Sequence, residues 1–147
     1  MDLKDITYPL RVAYIAKLAG LKYNEVTVPI YDSIVPETAP SYFVVIRDQN
    51  EADHSLKCGF NTDVHVTLDV VTKFPPGAGS GIVRDAISSK INSLICTENY
   101  SLRLNLLPDF NVMNSIRTLS RQIEELSKTE NIFRRINIYK HEIQQLR

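Results

Sequence analysis

The chain has 147 residues, long enough for one domain with a substantial core, and its 17 basic and 17 acidic side chains give a formal net charge of zero. This balance provides no long-range field to draw the chain onto nucleic acid or an anionic membrane, and near-zero charge favours association with other protein chains. Cys58 and Cys96 do not have the spacing of metal ligands, and the sequence does not open with an apolar leader. No apolar run reaches the roughly 20 residues that a membrane span requires. We therefore expect a cytoplasmic protein with reduced thiols, no cofactor and no membrane partner.

The first predicted element is a helix near the N-terminus. Thr7 suits its N-cap, Pro9 suits the first turn because its missing N–H is not needed there, and Gly20 suits the left-handed residue that ends a helix. The apolar side chains between them recur at helical spacing and form one broad stripe. The stripe comprises Leu10, Val12, Ala13, Ile15, Ala16, Leu18 and Ala19.

Two strands separated by a proline-containing crossing follow. Residues 25–31 alternate with β-branched side chains and predict a short strand, in which Pro29 marks the end or a sheet edge. Prolines then forbid regular structure in residues 32–41, because each removes a donor and restricts the residue before it. Residues 42–46 form a continuous apolar run, which is typical of a strand buried on both faces.

The clearest strand pattern lies in the second arm of a predicted long hairpin. Residues 47–60 are polar and predict the tip of that hairpin. In residues 61–72 apolar and polar side chains alternate, so we expect one face to meet the core and the other to meet water or a neighbouring subunit. The inward side chains are Val64, Val66, Leu68 and Val70, and the outward ones are Asp63, His65, Thr67 and Asp69.

A Gly-rich loop over residues 75–81 leads into a second predicted helix over residues 82–95, with Ser80 as its N-cap. The apolar stripe of this helix should cover one face of the sheet. We expect Ile87 and Ile91 to pack against the inward side chains of the hairpin strand, because only a short loop separates the two elements.

The last third of the chain leaves two interpretations open. Apolar side chains between residues 112 and 126 recur at steps of four, three, four and three, which fits a helix better than a strand. Residues 134–143 show weak alternation and predict a strand. Together the elements predict one α+β domain over residues 1–147, with a largely antiparallel sheet of four to five strands and two helices packed on it.

Several groupings could carry chemistry, but each has a simpler explanation that we favour. Asp63 and His65 share one strand face and could approach a metal ion, although such alternation is usually a solvated surface. Residues 77–81 precede a helix as a phosphate cradle does, but they lack the P-loop lysine and the GxGxxG spacing. Cys58 lies beside Lys57, yet no base and orienting residue accompany it.

A cluster of basic residues near the C-terminus is interleaved with aromatic residues. It comprises Arg134, Arg135, Lys140 and Arg147. Such a cluster can contact a phosphate backbone. We favour a solvated or subunit-pairing strand face, because the chain as a whole carries no excess positive charge.

The order of these elements resembles that of the tail-terminator and head–tail joining proteins of tailed bacteriophages. The segments that carry the resemblance are residues 42–46, 61–72, 75–95 and 134–138. The resemblance implies that residues 112–126 are extended and pair with residues 132–143 across a turn at residues 128–131. It therefore opposes the helical interpretation of that segment, and we follow the resemblance.

The resemblance also implies a structural virion protein without enzymatic activity, assembled in the host cytoplasm. Copies would form a ring at the neck, contact portal, adaptor or tail-tube proteins and touch the DNA in the channel passively. We expect the polar arm, the Gly-rich loop and the C-terminal arginines to supply the contacts. These residues are Arg47, Asp48, Asn50, Glu51, His54, Lys57, Pro76, Gly77, Gly79, Arg134 and Arg135.

Two functions from other classes remain as alternatives. The first is a small nucleotide-binding or hydrolytic enzyme that uses residues 77–81. The second is a DNA-contacting accessory factor that uses the C-terminal basic cluster. A mass measurement of the protein in solution and within particles discriminates among the three.

Overall fold

The computed structural model describes residues 2–55 and 59–147. Within these ranges the chain folds into two α-helices, a 3-10 turn at Tyr100–Leu102 and seven strands. The helices are α1 (Thr7–Leu18) and α2 (Gly81–Ile95), and the strands are β1 (Lys22–Tyr23), β2 (Val26–Thr27), β3 (Ile30–Asp32), β4 (Tyr42–Asp53), β5 (Asn61–Phe74), β6 (Phe110–Leu126) and β7 (Asn131–Gln145).

The larger of the two sheets has the strand order β3-β4-β5-β7-β6. Its strands pair antiparallel except β3 and β4, which are parallel, and β1 and β2 form a separate small hairpin. Both helices of the described ranges contribute to the core on one face of the larger sheet. This arrangement confirms the predicted α+β fold.

Helix α1 begins and ends close to where the sequence predicts, but its cap and its buried face differ. Ile6 is the N-cap and has no side-chain cap, while the Asp5 carboxylate accepts hydrogen bonds from the backbone N–H and the hydroxyl of Thr7. Thr7 is therefore the first helical residue, and its predicted role as N-cap is wrong. Gly20 adopts a φ of 77°, as a left-handed residue after a helix should.

Only part of the apolar stripe predicted on α1 is buried. Leu10, Ala13 and Leu18 lie in the core, whereas Val12 and Ile15 are 47% and 40% exposed. Tyr14 is fully buried in their place. A tyrosine can occupy this position because its hydroxyl finds a hydrogen-bond partner inside the fold.

The strand predicted over residues 25–31 is divided in two. Its first half, β2, turns back on β1 through Asn24 and Glu25, whose φ angles are 44° and 66°. Its second half, β3, forms one edge of the larger sheet beside β4. Pro29 separates the halves, and its carbonyl accepts a 2.9 Å hydrogen bond from the N–H of Val44.

Residues 43–46 are buried on both faces, as their sequence predicts, and Tyr42 is half-buried. The polar residues 47–53 do not belong to a hairpin tip, because β4 continues to Asp53. After Ile46 its pairing with β5 resumes at Gln49. A bulge between Ile46 and Gln49 interrupts the register. The predicted tip is therefore much shorter than residues 47–60.

The core lies between the helices and the near face of β5 and its neighbours. Val66, Leu68, Ile87 and Ile91 are each at most 1% exposed and belong to one cluster, as expected. The Ser80 hydroxyl accepts a hydrogen bond from the N–H of Ile82, which confirms the predicted N-cap of α2.

Residues 112–126 are extended, so the helical interpretation is wrong and the strand implied by the resemblance is confirmed. They belong to β6, which pairs with β7 from Phe110 to Leu126. Bulges between Val112 and Asn114 and between Arg117 and Leu119 shift the alternation by one residue each. The shifted alternation imitates a helical period.

The complete burial of Leu68 leads to a prediction about stability. Changing Leu68 to Ala should lower the free energy of unfolding by about 2–5 kcal/mol, because it removes a fully buried side chain and leaves a cavity. Denaturant titration measures this loss. The matched control is Leu126→Ala, at a side chain that is 65% exposed, which should cost well under about 1 kcal/mol. Equal effects of the two changes would contradict the core assignment.

Candidate functional site

The residues predicted to form subunit contacts lie in three separate places. Arg47, Asp48, Asn50 and Glu51 are exposed on the second half of β4, and His54 follows the strand. Lys57 lies outside the described residues. The role of these residues in subunit contacts remains a prediction.

The Gly-rich loop lies at the opposite end of β5 from this β4 segment. Pro76, Gly77 and Gly79 connect β5 to α2, and β5 is 14 residues long. Between the loop and the β5 residues opposite residues 47–51 lie about nine to twelve strand residues, so at about 3.3 Å per residue the two places are roughly 30–40 Å apart. They therefore cannot form one site within a single copy.

The glycines of this loop are explained by the path of the chain. Gly77 and Gly79 have φ angles of 75° and 94°, and a Cβ on Gly79 would clash with the ring of Phe74. Asn131 Nδ2 holds the loop by donating a 3.1 Å hydrogen bond to the carbonyl of Ala78. A tight strand-to-helix turn accounts for the sequence better than a phosphate cradle.

Asp69 forms a buried ionic cluster with two of the predicted contact residues. Its side chain is fully buried, although the sequence pattern places it on an outward face. Arg134 Nη2 donates to Asp69 Oδ2 at 2.7 Å, and Arg47 Nε and Nη2 each lie 3.3 Å from the same oxygen. Arg134 also contacts Glu125 at 2.8 Å.

These contacts stabilise the charged form of the arginine. The hydrogen bond to Asp69 is the main reason that the pKa of Arg134 is raised above its ordinary value. The cluster lies on the sheet face opposite the helices, since Asp69 pairs directly with Val45 of the small apolar cluster there. Arg47 of β4 and Arg134 of β7 thus both contact the carboxylate of Asp69 on β5.

Arg135 points to the other face of the sheet, because successive strand side chains alternate. Its guanidinium contacts Asp85 of α2 at 3.1 Å and Ser120 of β6 at 2.8 Å. The remaining members of the basic cluster are also paired, Lys140 with Asp63 at 3.5 Å and Arg147 with Asp109 at 2.9 Å. A phosphate backbone would have to displace these carboxylates, so the geometry does not favour the DNA-contacting alternative.

A buried histidine network went unnoticed in the sequence. His141 is fully buried on β7, with Nδ1 2.7 Å from the Ser115 hydroxyl and Nε2 hydrogen-bonded to the Tyr14 hydroxyl. Burial, followed by the charge of His65, lowers the pKa of His141 to about 4, and burial raises the pKa of Tyr14. The network joins α1 to β6 and β7, and its enclosure suits a structural role.

The predicted strand-face pair does not assemble a metal site. Asp63 Oδ2 lies 2.8 Å from His54 Nε2 and 3.5 Å from Lys140 Nζ. Across residues 2–55 and 59–147, no three histidine, cysteine or acidic side chains are arranged to hold a metal ion. Neither α1 nor α2, the helices of the described ranges, is long and apolar enough to cross a membrane.

Besides the short outer edge of the three-residue strand β3, the larger sheet leaves two longer strand edges open in the described ranges, and these two form the candidate site. β6 ends the sheet, and its exposed side chains include Ile116 and Leu119, at 44% and 47% exposure. On the opposite side β3 pairs only with Val44–Ile46 of β4, so within the described chain no strand covers the outer edge of residues 47–53. Open edges offer unpaired N–H and C=O groups to another chain.

A second surface without a partner in the described chain lies between α1 and residues 101–110. This groove has a volume of about 600 Å³. Its rim includes Tyr8, Val12, Leu102 and Leu107, all at least 47% exposed. Exposed apolar side chains that cluster in this way are typical of contact surfaces.

The sequence matches no known protein family and none of the curated proteins. A similar fold occurs in a solved structure described as "Virion of native gene transfer agent (GTA) particle". The superposition covers 95% of this chain and 91% of that chain, with a TM-score of 0.62 and 13% sequence identity. At this identity the likeness establishes the shared fold.

Because Arg134 belongs to the buried ionic cluster and Arg135 does not, we expect the two residues to contribute differently to stability. Arg134→Gln should lower the free energy of unfolding by about 3 kcal/mol, because it leaves the buried Asp69 with only the half-exposed Arg47. Arg135→Gln is the matched control and should cost less than about 1 kcal/mol, since its partner Asp85 is well exposed. Chemical denaturation of both variants tests this. Similar losses would show that Asp69 does not depend on Arg134.

The histidine network predicts a dependence of stability on pH. The folded-state pKa of His141, about 4, lies below the ordinary 6.5, so folding favours the neutral ring. The stabilisation is complete above about pH 6.5 and is lost as the pH falls towards 4, by about 3 kcal/mol in total. Denaturant titrations across this range should give a steeper loss for the natural protein than for His141→Gln. Parallel curves would contradict the assignment.

Proposed function

We propose that this chain is a structural subunit of a phage-like virion that forms a ring at the head–tail junction, as a tail terminator or head–tail connector. The observation that carries the proposal is the likeness in fold, over nearly the whole length of both chains, to a chain of a virion particle. The order of elements that resembles the tail-terminator and joining proteins agrees with it.

The shape of the sheet supports ring formation. Its two open edges, on β6 and β4, are different surfaces, and contacts between different surfaces of identical copies generate rings when the rotation closes. The zero net charge removes long-range repulsion between copies. The contact residues proposed here are Arg47, Asp48, Asn50 and Glu51 of β4, His54 directly after the strand, and Lys57 three positions further along the sequence.

The two ends of the sheet suit contacts with the rings above and below. Pro76, Gly77 and Gly79 form an exposed turn at one end of β5, and the β4–β5 connection lies at the other. We assign these ends to portal or adaptor proteins on one side and tail-tube proteins on the other. Arg134 and Arg135 stabilise the subunit that presents these surfaces.

The role is passive with respect to DNA and involves no catalysis. Basic side chains near the C-terminus are neutralised by carboxylates of the same chain. This pairing suits a channel through which DNA must pass without being bound. His141 is enclosed and hydrogen-bonded on both ring nitrogens, and the Ser80 hydroxyl serves as an N-cap. Assembly takes place in the host cytoplasm and the product resides in the virion neck.

The proposal predicts a defined oligomer and a defined place in particles. Purified protein should give a single closed multiple of the subunit mass in native mass spectrometry and rings in negative-stain micrographs. Mass spectrometry of purified particles should detect the chain at a copy number comparable to that of other neck proteins. Particles produced without it should contain unjoined heads and tails. A monomer that is absent from purified particles would overturn the proposal.

A further inference from the structure

We propose that neighbouring copies join their sheets edge to edge, the outer edge of β6 in one copy pairing antiparallel with residues 47–53 of β4 in the next. This inference rests on the proposed ring function and names the contact that builds the ring. Three features of the described residues carry it: the extent of the free edges, the strand directions and the charges.

The free part of each edge has defined limits. At the start of β6, Arg103 Nη1 donates a 2.5 Å hydrogen bond to the carbonyl of Met113, and the Tyr100 hydroxyl bonds Asn111. The segment before β6 therefore covers the beginning of its edge and leaves residues 114–126 open.

The corresponding limit on β4 is set by β3. On the outer side of β4, the hydrogen bond furthest along the strand is the 3.1 Å bond that the N–H of Ser33 donates to the carbonyl of Ile46. Beyond it, within the ranges that the structure describes, no backbone hydrogen bond caps the outer side of residues 47–53. The joint is therefore confined to about seven residues of β4, a normal length for a strand.

The strand directions allow the joint in a ring. From β4 through β5 and β7 to β6 the sheet takes three antiparallel steps, so β6 runs opposite to β4. Rotation about an axis that runs roughly along the strands preserves strand direction. The β4 strand of the next copy then meets β6 antiparallel, with the helices of both copies on the same face, and antiparallel pairing is the more stable kind.

The charges on the two edges are complementary. Arg117 and Arg121 are exposed on β6, and neither forms an ion pair with any residue in the described ranges. Asp48 and Glu51 are exposed on β4 and likewise contact no cationic side chain of the described chain. Opposite charges facing each other across a strand pair favour the pairing and oppose like-with-like contacts.

The same features disfavour pairing of β6 with a second β6. The carboxylates of β6 are Glu124 and Glu125, and these already contact Arg84 at 3.9 Å and Arg134 at 2.8 Å within the chain. In such a contact Arg117 and Arg121 would therefore find no unpaired carboxylate on the second β6 strand. A two-fold contact would also close at the dimer and build no ring.

Charge reversal tests the joint. Arg117→Glu/Arg121→Glu and Asp48→Arg/Glu51→Arg should each weaken assembly at least about tenfold in sedimentation and native mass spectrometry, because like charges then face each other. The chain carrying all four changes should assemble again, and so should an equimolar mixture of the two double variants. Lys22→Glu/Lys90→Glu, at exposed residues of β1 and α2 away from both edges, is the matched control and should assemble normally.

The outcomes separate this inference from the proposed function. All variants should retain the circular dichroism spectrum of the natural protein, because the changed side chains are exposed. Rings that persist in both double variants would overturn the edge joint and leave the ring function standing. Loss of assembly in the β6 variant alone would overturn it in favour of a β6–β6 contact. A natural protein that is monomeric would overturn both.

Discussion

The antiparallel pairing of β5 with β7 is the constraint on which the rest of the structure depends. It joins all fourteen residues of β5 to residues far along the chain, from Asn61 opposite Gln144 to Phe74 opposite Asn131. Because side chains alternate, a slip of one residue would expose Val66 and Leu68 and bury the opposite set. The register also places Asp69 within reach of Arg134, and His141 within reach of Tyr14.

Local patterns were sufficient to predict the elements that pack on one side only. β5 alternates because one face meets the helices, and α2 has a capping serine followed by apolar side chains at helical spacing. The pattern failed on β6, where bulges break the alternation and an exposed edge places little constraint on which residues are apolar. There the order of elements, rather than periodicity, indicated the correct structure.

The buried polar groups and the candidate site were less predictable, because both depend on partners that are distant in the sequence. Asp69 appeared to be a solvated residue, yet it is buried by Arg134, which is 65 positions away. His141 gave no local signal, since its partners Tyr14 and Ser115 are on other elements. The contact arm on β4 was predicted as part of a hairpin tip, whereas residues 47–53 form an ordered strand with one free edge. An ordered edge is better suited to precise assembly than a flexible arm, because less conformational entropy is lost on pairing.

Backbone hydrogen exchange in the assembled ring tests the central claim most directly, since it reports which amides are paired when copies join. The comparison is between the assembled natural protein and the monomeric Arg117→Glu/Arg121→Glu variant. The account predicts that amides of residues 114–126 and of residues 47–53 become protected together on assembly, while the groove between α1 and residues 101–110 changes little. Protection confined to that groove, with both sheet edges exchanging as in the monomer, would contradict it.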